Sequence, residues 1–534
     1  MPLILPDIPE TDATPLVRQL LEIIRSQHEH TQSQHERIQQ LEDEIARLKG
    51  LKTRPVIAPS RLETPPRPPA VSAQIRPGSA KRPKTSQLLV TDEVIVPLVN
   101  VPPEATFKGY EDFVVQDLII RPQVTCYRRE RWLTHDGQTL VATLPVDVIP
   151  GSHFGPDLIC FILHQYHHQH VTQPLLLEQL LELGIDISAG QLSRILTEKK
   201  EPFHREKDQL LPAGLEVSTY VQVDDTGARH QGRNGYCTHI GNDLFATFES
   251  TDSKSRLNFL EVLRGRHTDY VINDVAMAYW ERQKLAEAVR EKLGQGGCNF
   301  TDRPAWDAHL QALEITAERH VRIATEGALL GSLIAHGVSP TLVVLSDGAP
   351  QFDVLVHASC WIHAERPLAR MVPSSDEHRT AIEGVRQRIW ELYQDLKAYR
   401  QKPDAWQKPV LEARFDALCG ERTGFPSVDG VLKEMADHRA DLLLVLERPE
   451  LPLHNNLSEG HVRDYVKKRK ISGSTRSESG RRARDSFASL KKTCRRLGVN
   501  FWAYLQDRVR GLGRIPPLAT LIRQKGEELR PCKA

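Results

Sequence analysis

The run Thr341-Leu-Val-Val-Leu-Ser-Asp347-Gly348 constrains this chain more than any other segment. Residues Leu342 to Leu345 lack the polar–apolar alternation of a strand with one wet face, so they read as a strand buried on both faces. A strand of that kind needs layers on both sides of its sheet, which predicts a mixed α/β fold. The run ends in an aspartate. A second, β-branched run, Val217-Ser-Thr-Tyr-Val-Gln-Val223, ends in Asp224-Asp225. After it, Gly227, Gly232 and Gly235 mark a turn. Two short strands, Tyr236 to Ile240 and Leu244 to Phe248, and a helix over Ser255 to Leu263 follow. Ligands of open α/β sheets bind beyond the carboxyl ends of strands, and aspartates from both runs could meet there.

A third acid lies in Asn455-Asn456-Leu-Ser-Glu459-Gly-His-Val-Arg463-Asp-Tyr-Val-Lys467-Lys-Arg-Lys470. Helical spacing puts Glu459, Arg463, Lys467 and Lys470 on one face. A carboxylate beside a basic stripe suits a nuclease, with the acid holding metal and the cations holding the strand being cut. The same residues also fit a capping box running from Asn456 to Glu459. Three carboxylates on a mixed sheet and a helix can hold two hard divalent cations about 3.5–4 Å apart, for in-line attack on a phosphodiester without a covalent intermediate.

With 534 residues the chain is long enough for several domains. The net charge of +1 conceals two basic segments. Lys49 to Thr85 carries +8 and Arg463 to Arg496 carries +10, leaving −17 for the rest. Such segments are candidate phosphate-contacting elements, with a solvated helix face and a soluble linker as the plainer alternative. Val17, Ile24, Thr31, Ile38 and Ile45, with Leu20, Gln27, Gln34, Leu41 and Leu48, form a heptad seam with a polar centre, predicting an oligomerisation coiled coil over 1–50. Eight prolines among Arg and Lys make 51–87 a basic linker. A small β module is expected over 88–150, with strands at Phe113 to Ile120 and Gln123 to Trp132. In 151–212, a helix closed by Gly184 and a second helix capped by Ser188 predict a helix-turn-helix or a plain αα-hairpin. The eight cysteines form no CxxC pair, which excludes a zinc ribbon and a disulfide framework. No apolar run reaches the roughly 18 residues of a membrane span, and the acidic, proline-broken start is unlike a signal peptide. The expectation is a cytoplasmic, nucleoid-associated protein with no membrane partner.

These residues resemble the DDE transposases of the insertion-sequence sixty-six family. The C-terminal stretch Asn455-Asn456-Leu-Ser-Glu459-Gly-His-Val-Arg463, with Arg469-Lys470, Gly473-Ser474, Gly480, Ser489-Leu490 and Ala503-Tyr504-Leu505, is similar to the family's NNxxERxxR…RK…GS…G…SL…AYL signature. Gly460 stands where Arg commonly follows the glutamate. Asp224-Asp225-Thr226 is similar to its DET, and Asp347-Gly348 with Cys360-Trp361-Ile-His363-Ala-Glu-Arg366 to its DG…CWAHxRR. The resemblance implies an RNase H-like core split over 213–366, with an insertion at about 270–340, and 451–512, with a helical insertion at 367–450 and a tail at 513–534. It implies Asp224, Asp347 and Glu459 as catalytic metal ligands for two Mg2+ ions, with Mn2+ as a substitute. Asp225 is the rival at the first position and Asp274 at the second, and His363 is a possible neighbour of the metals. Asn455, Asn456, Arg463, Lys467, Lys470, Arg481 and Arg482 are the expected DNA contacts. The implied activity is a DNA transposase that binds terminal inverted repeats of double-stranded DNA, then cleaves and joins strands as a homo-oligomer, with or without accessory transposition proteins. The alternative is a catalytically silent or domesticated DNA-binding derivative. The family's cysteine zinc module has no counterpart, since only Cys126 stands in the relevant stretch.

Overall fold

A computed structural model describes residues 89–145, 148, 149 and 151–529. All of these lie in the second of the two units into which the chain divides, Arg76–Ala534. The expected coiled coil and basic linker fall outside the described residues.

The expected β module reduces to one hairpin, β1 (Arg131–Leu133) with β2 (Thr139–Val141), and Phe113 to Ile120 forms no strand. Residues such as Phe113, Leu118 and Ile119 are exposed, so nothing supplies the buried face on which β propensity depends. Five helices follow: α1 (Pro156–His167), α2 (Gln173–Glu182), α3 (Ala189–Thr197), α4 (Glu201–Asp208) and α5 (Leu210–Val217). Ser188 caps α3 in a reciprocal capping box with Gln191, and Gly184 turns the chain after α2 at φ 79°. Leu176, Leu180, Leu192 and Leu196 hold the pair together in the core.

The central sheet contains β3 (Tyr220–His230), β4 (Arg233–Gly241), β5 (Ala246–Thr251), β8 (Val343–Ser346) and β9 (Val356–Ser359), in the order β5-β4-β3-β8-β9. The first three form an antiparallel meander, and β8 and β9 add in parallel. Between β5 and β8 lie α6 (Arg256–Arg264), β6 (Tyr270–Val271), α7 (Asp274–Arg282), α8 (Glu287–Gly294), β7 (Asn299–Phe300), α9 (Arg303–Ala312) and α10 (Glu318–Ala335). Close approach to α10 depends on its glycines. A methyl at Gly327 would lie 2.1 Å from the Trp280 indole nitrogen, and one at Gly331 would lie 2.1 Å from the Val271 carbonyl. After β9 come α11 (Trp361–Arg370), the helical insertion α12 (Asp376–Gln401), α13 (Gln407–Cys419), α14 (Pro426–Asp437) and α15 (Arg439–Leu442), and then α16 (Asn456–Ser472), α17 (Glu478–Leu497), α18 (Phe501–Arg510) and α19 (Leu518–Leu529). Val343, Val344 and Leu345 are buried, and the strand has apolar neighbours on both faces as its composition predicts.

Helix α17 covers the open edge of β5. The backbone N–H groups of Ala246, Phe248 and Ser250 donate to Thr493 Oγ1 (3.1 Å), Ser489 Oγ (2.9 Å) and Asp485 Oδ2 (2.8 Å). Four helical residues rise about 6.0 Å and two strand residues about 6.6 Å, so a helix bearing polar groups every fourth residue can cap alternate amides of an edge strand. Asp485 also accepts from the hydroxyls of Ser250 and Tyr465. Its replacement by alanine orphans the Ser250 amide and leaves the Ser250 and Tyr465 hydroxyls with only each other, 3.1 Å apart. The expected loss is about 2–4 kcal/mol in denaturant unfolding, against about 1 kcal/mol for Ser489→Ala.

Candidate functional site

The register of the sheet brings two of the acids together. Tyr220, Val221 and Gln222 pair with Val343, Val344 and Leu345, and the same offset carried two residues on sets Asp224 beside Asp347. Asp224 is not at a strand end, because β3 stays paired with β4 as far as His230, well after β8 has stopped. Alternation divides the neighbours. Val221, Val223 and Val344 enter the main core, whereas Tyr220, Val343 and Leu345 pack with Leu451 on the other face. Asp224 shares that second face. Asp225 is of opposite parity, and its carboxylate accepts from Gln351 Nε2 at 2.8 Å. Asp274 is an exposed first-turn acid of α7, beside the capping Asn273.

Burial, with Asp347 next in importance and Asp225 and Glu459 adding to it, pushes the Asp224 carboxyl up to about 7. Asp347 sits in a turn, accepting from Ala349 N at 3.1 Å, with Gly348 at φ 93°. Beneath it, Ser346 Oγ accepts from Gly348 N and meets His357 Nε2 at 2.8 Å, and His357 Nδ1 meets Asp441 at 2.8 Å.

Glu459 joins this face through α16. The buried Asn455 donates from Nδ2 to the Val223 carbonyl at 2.7 Å, the residue before Asp224, and so fixes the start of α16 against β3. That corrects Asn455 from an expected DNA contact to an internal clamp. The capping box is also absent. The N-cap is Asn455 without a side-chain bond, and Glu459 turns instead toward Arg366 Nη2 (3.4 Å), His363 Nδ1 (3.6 Å) and Arg463 Nη2 (3.9 Å). Arg366 Nη1 lies 2.6 Å from His363 Nε2 and can only donate, which places the proton of a neutral His363 on Nδ1, facing Glu459. Burial, and then Arg366, hold His363 below its usual pKa. Trp361 is structural, donating to the Leu442 carbonyl at 2.9 Å.

A buried relay ties the helix to the sheet. His239, opposite Asp224 on β4, meets Ser458 Oγ through Nδ1 at 2.6 Å and His461 Nδ1 through Nε2 at 2.9 Å. Arg496 donates to His461 Nε2 at 3.1 Å. Since Arg496 must donate, each neutral imidazole passes one N–H along the chain toward Ser458. Burial keeps both histidines neutral, with His461 brought down to about 3. The role of His239, Ser458 and His461 was hidden in the sequence, because strand register and a helix distant in sequence together create it.

Arg463, Lys467 and Lys470 are exposed along α16, with Asn456 exposed at its start. Of the rest of the basic stretch, Lys468, Arg484, Lys491 and Lys492 are buried, and Arg481 and Arg482 are paired with acids. Arg481 pairs with Glu478 (3.0 Å) and Asp252 (3.4 Å), and Arg482 with Glu201 (3.1 Å) and Asp208 (3.9 Å). Lys491 and Lys492 both hold Asp464, and Lys468 lies 3.5 Å over the Tyr166 ring. Arg481 and Arg482, expected DNA contacts, are thus half-buried and exposed respectively, each in ion pairs within the chain. After α16, Thr475 pins the β3–β4 hairpin, accepting from Gln231 N at 2.8 Å and donating from its own N–H to the Arg229 carbonyl at 3.2 Å. Arg229 and Arg233 are exposed on that hairpin beside the basic helix.

The fold and site define a mixed α/β protein with carboxylates from a central strand, from the turn after its parallel neighbour and from a helix gathered on one face of the sheet. A family model described as Transposase IS66 family matches residues 347–483, a span containing Asp347, His363, Arg366, Glu459 and the basic face of α16. "Uncharacterized protein y4jO" of Sinorhizobium fredii (strain NBRC 101917 / NGR234) is 40% identical over 320 residues, 59% of this chain and 100% of that protein. The chain belongs to the IS66 transposase family. No helix among the described residues is long and apolar enough to cross a membrane.

Proposed function

We propose that this chain is a DNA transposase with an RNase H-like core, in which Asp224, Asp347 and Glu459 hold divalent metal for strand cleavage and transfer. The observation that carries this reading is the meeting of Asp224 with Asp347, just past the paired ends of β3 and β8, and with Glu459 of α16, whose charges both act on the Asp224 carboxyl. The meander continued by two parallel strands supports the RNase H-like reading of the core. The donor set suits a hard cation such as Mg2+ or Mn2+, because all three groups are carboxylates and burial, with the neighbouring negative charge of Asp347, raises the proton affinity of Asp224. When bound, two such ions supply activation of the attacking oxygen and stabilisation of the departing one.

The chain's own residues do the rest. Arg463, Lys467 and Lys470 line the approach to Glu459 and neutralise phosphates of double-stranded DNA, and Asn456 extends that face. Arg366 and His363 lie beside the Glu459 carboxylate, at 3.4 and 3.6 Å, and would orient it toward a metal held with Asp224 and Asp347. Helices α2 and α3 are the candidate helix-turn-helix for terminal inverted repeats, and residues 1–50 the candidate coiled coil for a homo-oligomer. The test is incubation of the full chain with labelled DNA carrying its own element's ends, with Mg2+ or EDTA. Metal-dependent nicking or joining supports the reading. Binding without metal-dependent chemistry moves it to a silent DNA-binding derivative.

The relay gives a separate expectation. His239→Ala removes the bond to Ser458 and should loosen the position of Glu459 relative to Asp224. Metal affinity, read as the Mg2+ concentration giving half-maximal cleavage, should weaken by about 10–100-fold, while DNA affinity stays near wild type.

A further inference from the structure

We propose a second metal site, for a first-row transition ion such as Zn2+, formed by His267, Asp269 and His336. Its ligand atoms all lie within 4.8 Å of one another. His267 and Asp269 belong to the loop between α6 and β6, and His336 is the C-cap of α10. The site thus joins a loop to a helix end 67 residues on, at the amino end of β8, whereas Asp347 follows its carboxyl end.

Two features favour a metal over an ordinary His–Asp pair. His336 Nε2 is 2.9 Å from Asp269 Oδ1 and 3.0 Å from Oδ2. Tetrahedral bonds of about 2.0–2.1 Å separate ligand atoms by about 3.3 Å, so seating an ion opens this contact by only about 0.4 Å. The two imidazoles stack face to face with centroids 3.5 Å apart, so seating one ion in the plane of both requires one ring to turn about its side-chain torsions. Asp269 is also held from behind, by Ser332 Oγ donating to Oδ1 at 2.9 Å, the kind of outer contact that orients a metal-binding carboxylate. Nearby positive charge is partly diverted, since Arg264 donates to the Asp269 carbonyl at 2.6 Å and lies over the Tyr270 ring, while Arg266 is exposed. Two imidazoles and one carboxylate favour zinc over Mg2+ and leave a fourth position for water. The ion would tie the loop before β6 to the end of α10.

The experiment uses full-length protein stripped with chelator and held in millimolar Mg2+ to occupy the carboxylate site. Zn2+ is titrated in competition with a chromophoric zinc chelator, and thermal unfolding is followed with and without Zn2+. Wild type should bind one more Zn2+ per chain than His336→Ala or Asp269→Asn, with affinity at that site at least 100-fold weaker in each variant. Zinc should raise the unfolding temperature of wild type alone, while all three proteins melt alike in chelator. Equal zinc stoichiometry and affinity in wild type and both variants would overturn the proposal. So would an equal zinc-induced thermal shift, which would place the bound ion elsewhere in the chain.

Discussion

Replacing Glu459 by glutamine is expected to reduce metal-dependent strand cleavage by about 10³-fold or more, with affinity for end-containing DNA changed by less than about threefold. The substitution keeps size and shape, and α16 remains anchored by Asn455 on Val223 and by Ser458 on His239. What it removes is one negative charge from the carboxylate cluster. Loss of several kcal/mol of transition-state charge stabilisation corresponds to a thousandfold in rate. DNA binding rests on the exposed cations of α16, which the change leaves in place. Gel-resolved cleavage and a binding titration on the same variant check both halves. Survival of cleavage would make Glu459 only a partner for Arg366 and His363, and the family's third acid would have to be sought elsewhere.

Local signals were readable where one segment decides its own structure. The apolar run before Asp347 reads as a covered strand and is one, and Ser188 reads as a helix cap and is one. Signals failed where the partner is distant in sequence. Asn455 carries no mark that its amide meets a carbonyl 232 residues earlier, so a polar residue beside a basic helix passed for a DNA contact. The basic run of α17 likewise hid its purpose. Asp485, Ser489 and Thr493 repeat every fourth residue because they cap β5, and Arg481 and Arg482 find acids on separate segments. Asp224 was placed at a strand end because glycines follow it, whereas pairing with β4 carries the strand onward through them. In each case the deciding contact is non-local, and local propensity yields to it.

The second large effect is on stability and its pH dependence. With its carboxyl raised from 3.8 to about 7, Asp224 binds a proton in the folded state that the unfolded chain releases earlier. Between those values the native state holds more protons than the unfolded one, so the contribution of this group to stability falls as pH rises through the window. Below about pH 4 both states are protonated and the group costs nothing. Above about 7 the full cost is present, about 4 kcal/mol for that displacement. Asp224→Asn should therefore leave unfolding almost unchanged at pH 4 and stabilise the metal-free protein by about 2–4 kcal/mol at pH 8. Mg2+ should reduce the difference at pH 8, since a cation among the carboxylates offsets the same cost of a buried charge, and its uptake should release about three-quarters of a proton near pH 6.5. Denaturant unfolding at the two pH values, with and without Mg2+, separates these terms. A variant no more stable than wild type at pH 8 would mean that Asp224 is ionised without strain, and the crowded-carboxylate basis for metal binding would fall with it. Stabilisation together with loss of cleavage is the outcome expected of a residue kept for chemistry at the expense of the fold.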